Sequence, residues 1–151
     1  MSIYTRLEKD HDKQRDLIEK IKKTQNGSKN RSELWTDLKV ELEAHASAEE
    51  QAFYSELMRD PDGTDETRHA VEEHQEMHEI ISELDIMDQS DDLWLKKFEK
   101  LAHKVIHHVD EEEAEFFPKA KKLFKKSEEK EMLEDFNKRK PKEEKKQESA
   151  A

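Results

Sequence analysis

His45-Ala-Ser-Ala-Glu49-Glu50, followed by Phe53-Tyr54, returns 63 residues later as His108-Val-Asp-Glu-Glu112-Glu113, followed by Phe116-Phe117. Two further histidines keep the same offset: His11 and His74, each directly after an acid, Asp10 and Glu73. The chain therefore reads as one helical hairpin written twice, with His and Glu at matching places in both copies.

Residues four apart on an α-helix lie on one face, one turn apart. His45 and Glu49 point the same way, as do His108 and Glu112. That way is inward. Trp35, Leu38 and Leu42 continue at helical spacing into His45, Glu49 and Ala52; Phe98, Leu101 and Val105 continue into His108, Glu112 and Phe116. His11 lies between Leu7 and Ile18 on such a stripe, and His74 between Val71 and Ile81. A glutamate on a core stripe is costly unless it is paired or coordinates a metal. Two glutamates and at least four histidines converging in one bundle interior point to a metal centre, which removes that penalty. Imidazole and carboxylate suit iron, manganese or zinc, and the chain has no cysteine to offer a thiolate.

Composition bounds the rest. The chain has 151 residues, one domain's worth, with 44% charged and only 32% apolar residues, two glycines and three prolines. That balance favours charge-coated helices over sheets. A net charge of −11 argues against a nucleic-acid partner. No run of about 18 apolar residues spans a membrane, and the N-terminus has no signal-peptide core. The expectation is a cytoplasmic monomer whose partner is a small molecule.

Taken in order, the periodicity predicts helix 1 over about 3–23 and helix 2 over about 33–58, capped by Ser32. Asp60-Pro61-Asp62-Gly63 is the turn between the halves. Helices 3 and 4 follow over about 65–87 and 92–125, with Pro118 expected to kink helix 4 or loosen its backbone bonding. The expected architecture is all-α: an up-down-up-down four-helix bundle over 1–126, a short C-terminal helix over 127–140 and a disordered charged tail over 141–151.

The symmetric set is His11, His45, Glu49, His74, His108 and Glu112. One residue breaks the symmetry: His78 follows His74 by four, where the first half has Arg15. Seven protein ligands suit two metal ions rather than one, with Glu49 and Glu112 placed to bridge. If His78 is a ligand, one metal is more fully saturated than the other, and an open position is where a small molecule binds. His69 and His103 read as surface residues; His107, five before Glu112, could take the place of His108, but the repeat selects His108. Glu50, Glu113 and Asp110 read as solvated or as acids orienting a ligand histidine. Phe53, Phe116 and Phe117 read as core. Tyr54 does too, but a phenol there can also hydrogen-bond a bound ligand.

These residues resemble the hemerythrin family, specifically bacterial hemerythrin-like (HHE cation-binding) domains with the pattern H…HxxxE…H…HxxxE, over about residues 5–124 and including Phe116-Phe117-Pro118. The resemblance implies a four-helix bundle around two non-haem iron ions joined by an oxo or hydroxo group and two carboxylates. It implies Glu49 and Glu112 as bridges, His74, His78 and His108 on one iron, and His11 and His45 on the other, open, O2-binding iron. The second pair departs from oxygen-carrying hemerythrins, which have His and Asp one residue further apart. The two pairs run His-x-x-x-Glu and not in the ferritin-like Glu-x-x-His order, which weakens that reading, and the zinc-protease His-Glu-x-x-His pattern is missing. Three functions fit the resemblance: O2 binding for sensing, storage or delivery; a peroxide-consuming, catalase-like or other redox enzyme; and iron or nitric-oxide handling.

Overall fold

The structure, a computed structural model, describes residues 1–150; these form five helices and no strand. Helix α1, Ile3–Lys22, starts from a reciprocal cap: the Ser2 side chain accepts from the Thr5 N–H while the Thr5 hydroxyl accepts from the Ser2 N–H. Helix α2, Lys29–Glu49, begins four residues earlier than expected, because Ser28 and not Ser32 accepts the orphan N–H, that of Arg31, at 3.1 Å. It runs on through a π-helical turn, Glu50–Tyr54, and a last α-turn, Ser55–Leu57. The Asp60–Gly63 turn closes as the sequence indicates, with Asp60 accepting from the Asp62 N–H at 2.9 Å. Only glycine fits at Gly63, since a Cβ there would stand 2.4 Å from the Leu57 carbonyl oxygen.

Helix α3 is Thr64–Ile86. Helix α4 is Asp92–Glu111, continued by a second π-turn, Glu112–Phe116, and by Phe117–Leu123. Both π-turns follow directly on the His-x-x-x-Glu pairs, and the backbone gives a reason. In the second half Pro118 has no N–H to donate into the preceding turn. At the matching place in the first half, the Ser55 hydroxyl takes the Gln51 carbonyl at 2.5 Å. The ladder slips to i→i−5 in both: the Ser55 N–H reaches the Glu50 carbonyl and the Phe117 N–H the Glu112 carbonyl.

Helix α5, Lys126–Ala150, corrects the expected short helix and disordered tail. It lies along α2 and touches α1. Its buried stripe is Glu129, Met132, Phe136, Lys140 and Glu143, spaced by three and four. Two of the five are apolar, so an apolar count misses the helix; Lys140 is buried because its partners, Asp10 and Glu41, are already inside.

The apolar core falls into two clusters. One gathers Leu17, Ile18, Trp35, Leu38, Ile81, Trp94, Phe98 and Leu101. The other gathers Ile3, Leu7, Phe53, Tyr54, Phe117, Met132 and Phe136. On each of α1 to α4 the repeated His and Glu residues fall between these clusters. The bundle is thus two apolar plugs with one polar layer between them.

Candidate metal centre

The polar layer is built from four histidines that share one geometry. Each imidazole turns Nδ1 to an outer carboxylate and Nε2 to an inner one. His45 Nδ1 meets Asp10 at 2.8 Å, and His108 Nδ1 meets Glu73 at 2.7 Å. His11 Nδ1 meets Glu113, and His74 Nδ1 meets Glu50, both at 2.7 Å. The outer acids obey the 63-residue offset as strictly as the histidines do. Such a partner fixes the ring's orientation and tautomer and raises its basicity as a ligand.

Inside, Glu49 lies 3.6 Å from His45 Nε2 and 3.3 Å from His74 Nε2. Glu112 Oε1 lies 3.3 Å from His11 Nε2 and 3.1 Å from His108 Nε2. Each glutamate therefore spans both halves. His74 and His108 face one another, Nε2 to Nε2, at 3.1 Å. Two groups of donor atoms result, each within 4.8 Å: His11, His45, Glu49 and Glu112; and Glu49, His74 and His108.

Burial makes this set demanding. Glu49 and Glu112 are fully buried, and both oxygens of Glu49, Glu112 Oε1, His11 Nε2 and His45 Nε2 have no hydrogen-bond partner. Orphaned polar atoms converging from three helices, α1, α2 and α4, are what a coordinated cation would satisfy. The donor set of imidazole and carboxylate fits a first-row transition metal. Without a metal, protons stand in. Burial lowers the pKa of His45, but the nearby Glu49 charge and the hydrogen bond to Asp10 outweigh it and raise it to about 10. His11, His74 and His108 are raised for the same reasons against the same opposing burial. Burial raises Glu112, but the charges of His108 and His11 beside its carboxylate hold it well below its ordinary value.

The structure brings six of the seven expected ligands together and leaves the seventh outside. His78 has a half-exposed ring whose Nδ1 pairs with Glu43 at 2.8 Å, across the gap between α3 and α2. Met77, one residue earlier, takes the inward position on α3. Tyr54 is in the layer: its hydroxyl donates to Glu112 Oε2 at 2.5 Å. Its counterpart in the repeat is Phe117, which stacks on His11 with ring centroids 6.0 Å apart. Sequence reading missed Lys140 and Glu41. Lys140 Nζ reaches Asp10 Oδ2 at 2.9 Å and the Glu41 oxygens at 2.9 and 3.2 Å. The 3/4 spacing from Phe136 to Lys140 was the available signal.

Beside the layer is a small cavity of about 20 Å³, room for a molecule of one or two heavy atoms. Leu42, Ala46, Met77, Ile81, Val105 and Val109 line it, together with Gln14, Glu43 and the histidines His45, His74 and His108.

No helix among the described residues is long and apolar enough to cross a membrane. No curated protein matches the chain significantly. The fold is similar to a solved structure, a hemerythrin HHE cation binding domain-containing protein from Mycobacterium kansasii. That likeness has a TM-score of 0.86 at 23% identity and covers 97% of this chain and 89% of the other. The sequence matches the hemerythrin HHE cation binding domain over residues 2–120. With the paired His-x-x-x-Glu layer lying inside that span, the chain belongs to the hemerythrin HHE cation-binding domain family.

Proposed function

We propose that this chain is a non-haem di-iron protein that binds O2 reversibly, for sensing, storage or delivery. The observation that carries the reading is the pair of donor groups sharing Glu49, in which His11 Nε2, His45 Nε2, both Glu49 oxygens and Glu112 Oε1 have no hydrogen-bond partner. His11 and His45 would hold one iron and His74 and His108 the other, with Glu49 and Glu112 reaching both. Iron supplies the redox couple that binds or reduces O2. The chain's own residues do the rest: the outer carboxylates orient the imidazoles, the two apolar clusters flank the layer, and the largely apolar cavity, with the Glu43 carboxylate on its lining, suits a neutral diatomic molecule more than an anion. The up-down-up-down order proposed for the four core helices is supported by the pairing of α1 with α2 and of α3 with α4 through short connections.

A second reading, peroxide or other redox turnover at the same irons, is favoured by Tyr54. Its hydroxyl sits on Glu112 and is a proton donor at the layer. Burial and then the Glu112 and Glu49 charges push its pKa well above the ordinary phenol value, so it keeps its proton.

The test is metal content with an optical spectrum, on protein loaded with Fe(II) anaerobically and then exposed to air. About two irons per chain, with a charge-transfer band that forms with O2 and fades on deoxygenation, is the expected result. Two irons with irreversible bleaching and peroxide turnover would select the second reading. Iron-free protein that takes up only one zinc would overturn both.

A further inference from the structure

We infer that Lys140, on a helix outside the family match, is a positioning residue for the His11–His45 half of the centre. The match ends at residue 120, and α5 begins at Lys126. Yet α5 delivers a lysine that is 3% exposed to the acid that orients His45. This inference rests on the di-metal reading and adds to it which part of the chain completes one half-site.

The charges around Asp10 give the reason. Asp10 is 5% exposed and Glu41 is 2% exposed. Two carboxylates this deep need cations beside them, because an unpaired buried charge is strongly disfavoured. Arg6 holds Asp10 Oδ1 at 2.6 Å, and Lys140 bridges Asp10 Oδ2 to Glu41. Gln14 adds a weak contact to Glu41 at 3.4 Å, and Lys13 approaches it at 3.5 Å from the surface. With one oxygen tied by Arg6 and the other by Lys140, the Asp10 carboxylate has a single orientation left for the His45 Nδ1 proton, and His45 Nε2 is thereby aimed at the layer. Phe136, one turn before Lys140, packs its ring against His45 at 5.9 Å between centroids and closes the same side.

The second half has no such device. Position 104, matching Glu41, is Lys104, which turns outward to Glu76 at 2.8 Å. Position 69, matching Arg6, is His69, half-exposed and 3.4 Å from Glu73. Glu73 orients His108 with no lysine or arginine within ion-pair distance among the described residues. The two half-sites thus carry one ligand set under two different outer charges: Arg6, Glu41 and, from α5, Lys140 on one side, and His69 and Lys104 on the other.

The experiment titrates the metal-free full-length chain with Co(II), read by its visible ligand-field bands and by metal per chain. Wild type should take up two equivalents. Lys140→Met combined with Glu41→Gln removes the buried lysine without stranding Glu41, so the bundle keeps its charge balance; helicity is checked by circular dichroism. One of the two equivalents should bind about 10- to 100-fold more weakly, the usual cost of losing an orienting partner, with altered bands for that equivalent alone. Glu41→Gln by itself should leave both equivalents as in wild type. Adding Asp10→Asn to the double variant should weaken that equivalent little further, because Lys140 acts through Asp10. Equal binding by Glu41→Gln and the double variant overturns the role of Lys140 and leaves the di-metal reading intact. A wild-type chain that takes up no cobalt overturns both. A double variant that loses both equivalents while keeping its helicity shows a general structural role and overturns the half-site assignment.

Discussion

The two halves of the bundle hold the same inward set, two histidines and one glutamate, in different surroundings. Around His45, the orienting Asp10 is buried under Arg6, Lys140 and Phe136. Around His108, the orienting Glu73 has a side chain 16% exposed and meets His69, itself 49% exposed. On the inner side the difference reverses: the first half has Phe117 stacked on His11, whereas Tyr54, beside His74, puts a hydroxyl on Glu112. The lesson is that duplication preserved the six inward His and Glu residues, while their surroundings diverged both at matched positions, Arg6 against His69, Glu41 against Lys104 and Tyr54 against Phe117, and where the non-duplicated α5 covers one copy only.

The largest expected effect tests what the halves share. Glu49→Ala or Glu112→Ala should take iron content from about two per chain to near zero, measured by elemental analysis, because each glutamate reaches both histidine pairs. A variant retaining one iron would show that the halves load independently. Next is the cover on the first half. Phe136 is fully buried, so Phe136→Ala should cost about 3–5 kcal/mol of stability by urea denaturation. The second half should keep its metal affinity in that variant if the comparison holds.

Acidity then separates the metal-free from the loaded chain. The four imidazoles have pKa values raised by folding, so their contribution is complete below about 6.5 and is lost as pH rises, for His45 through about 10. Glu112 and Asp10 are lowered, so theirs is present above their ordinary values and is lost as pH falls. The metal-free protein should therefore melt at a lower temperature at pH 9 than at pH 6.5. Loaded protein should show the opposite slope or none, since metal displaces protons and binds more tightly as pH rises. Scanning calorimetry of both forms over that range checks the crossing. Parallel slopes would mean that the imidazoles do not carry these protons.

How much of this was legible in the sequence follows from what kind of signal each part leaves. His11, His45, Glu49, His74, His108 and Glu112 were readable because they interrupt apolar stripes with residues that need a reason to be inside. The outer acids were half-readable: Asp10 and Glu73 were visible beside His11 and His74, but each serves the histidine of the other helix in its hairpin, a contact across helices that spacing along one helix does not encode. His78 was assigned by its spacing from His74. Met77 competes for the same face and wins it, since burying a thioether needs no partner. The extent of α5 was hidden because its stripe is charged, and a charged stripe looks like a solvated tail until Asp10 and Glu41 are seen waiting for it. The π-turns left only the trace of Pro118.

Smaller effects probe the inner difference. Tyr54→Phe makes the second half resemble the first, where Phe117 occupies the matching place. It removes a hydrogen bond to a charged acceptor, worth about 1.5–3 kcal/mol in such settings, and frees Glu112 Oε2. Iron content should stay near two per chain. The optical spectrum should shift, and any peroxide turnover should fall by about 10²-fold or more, the usual contribution of a positioned proton donor. Unchanged turnover would remove Tyr54 from the chemistry and leave O2 binding as the stronger reading.

The smallest effect is expected at His78. If the half-site of His74 and His108 drew a further ligand from α3, His78→Ala would lower its metal affinity and change the spectrum. The ring instead pairs with Glu43 over the outside of the bundle, with its side chain 53% exposed. An exposed pair of this kind contributes about 0–1 kcal/mol. His78→Ala should therefore keep two irons, the wild-type spectrum and nearly the wild-type melting temperature. Loss of one iron in this variant would mean that α3 turns on loading to bring His78 inward. The two halves would then differ in their ligands as well as in their surroundings.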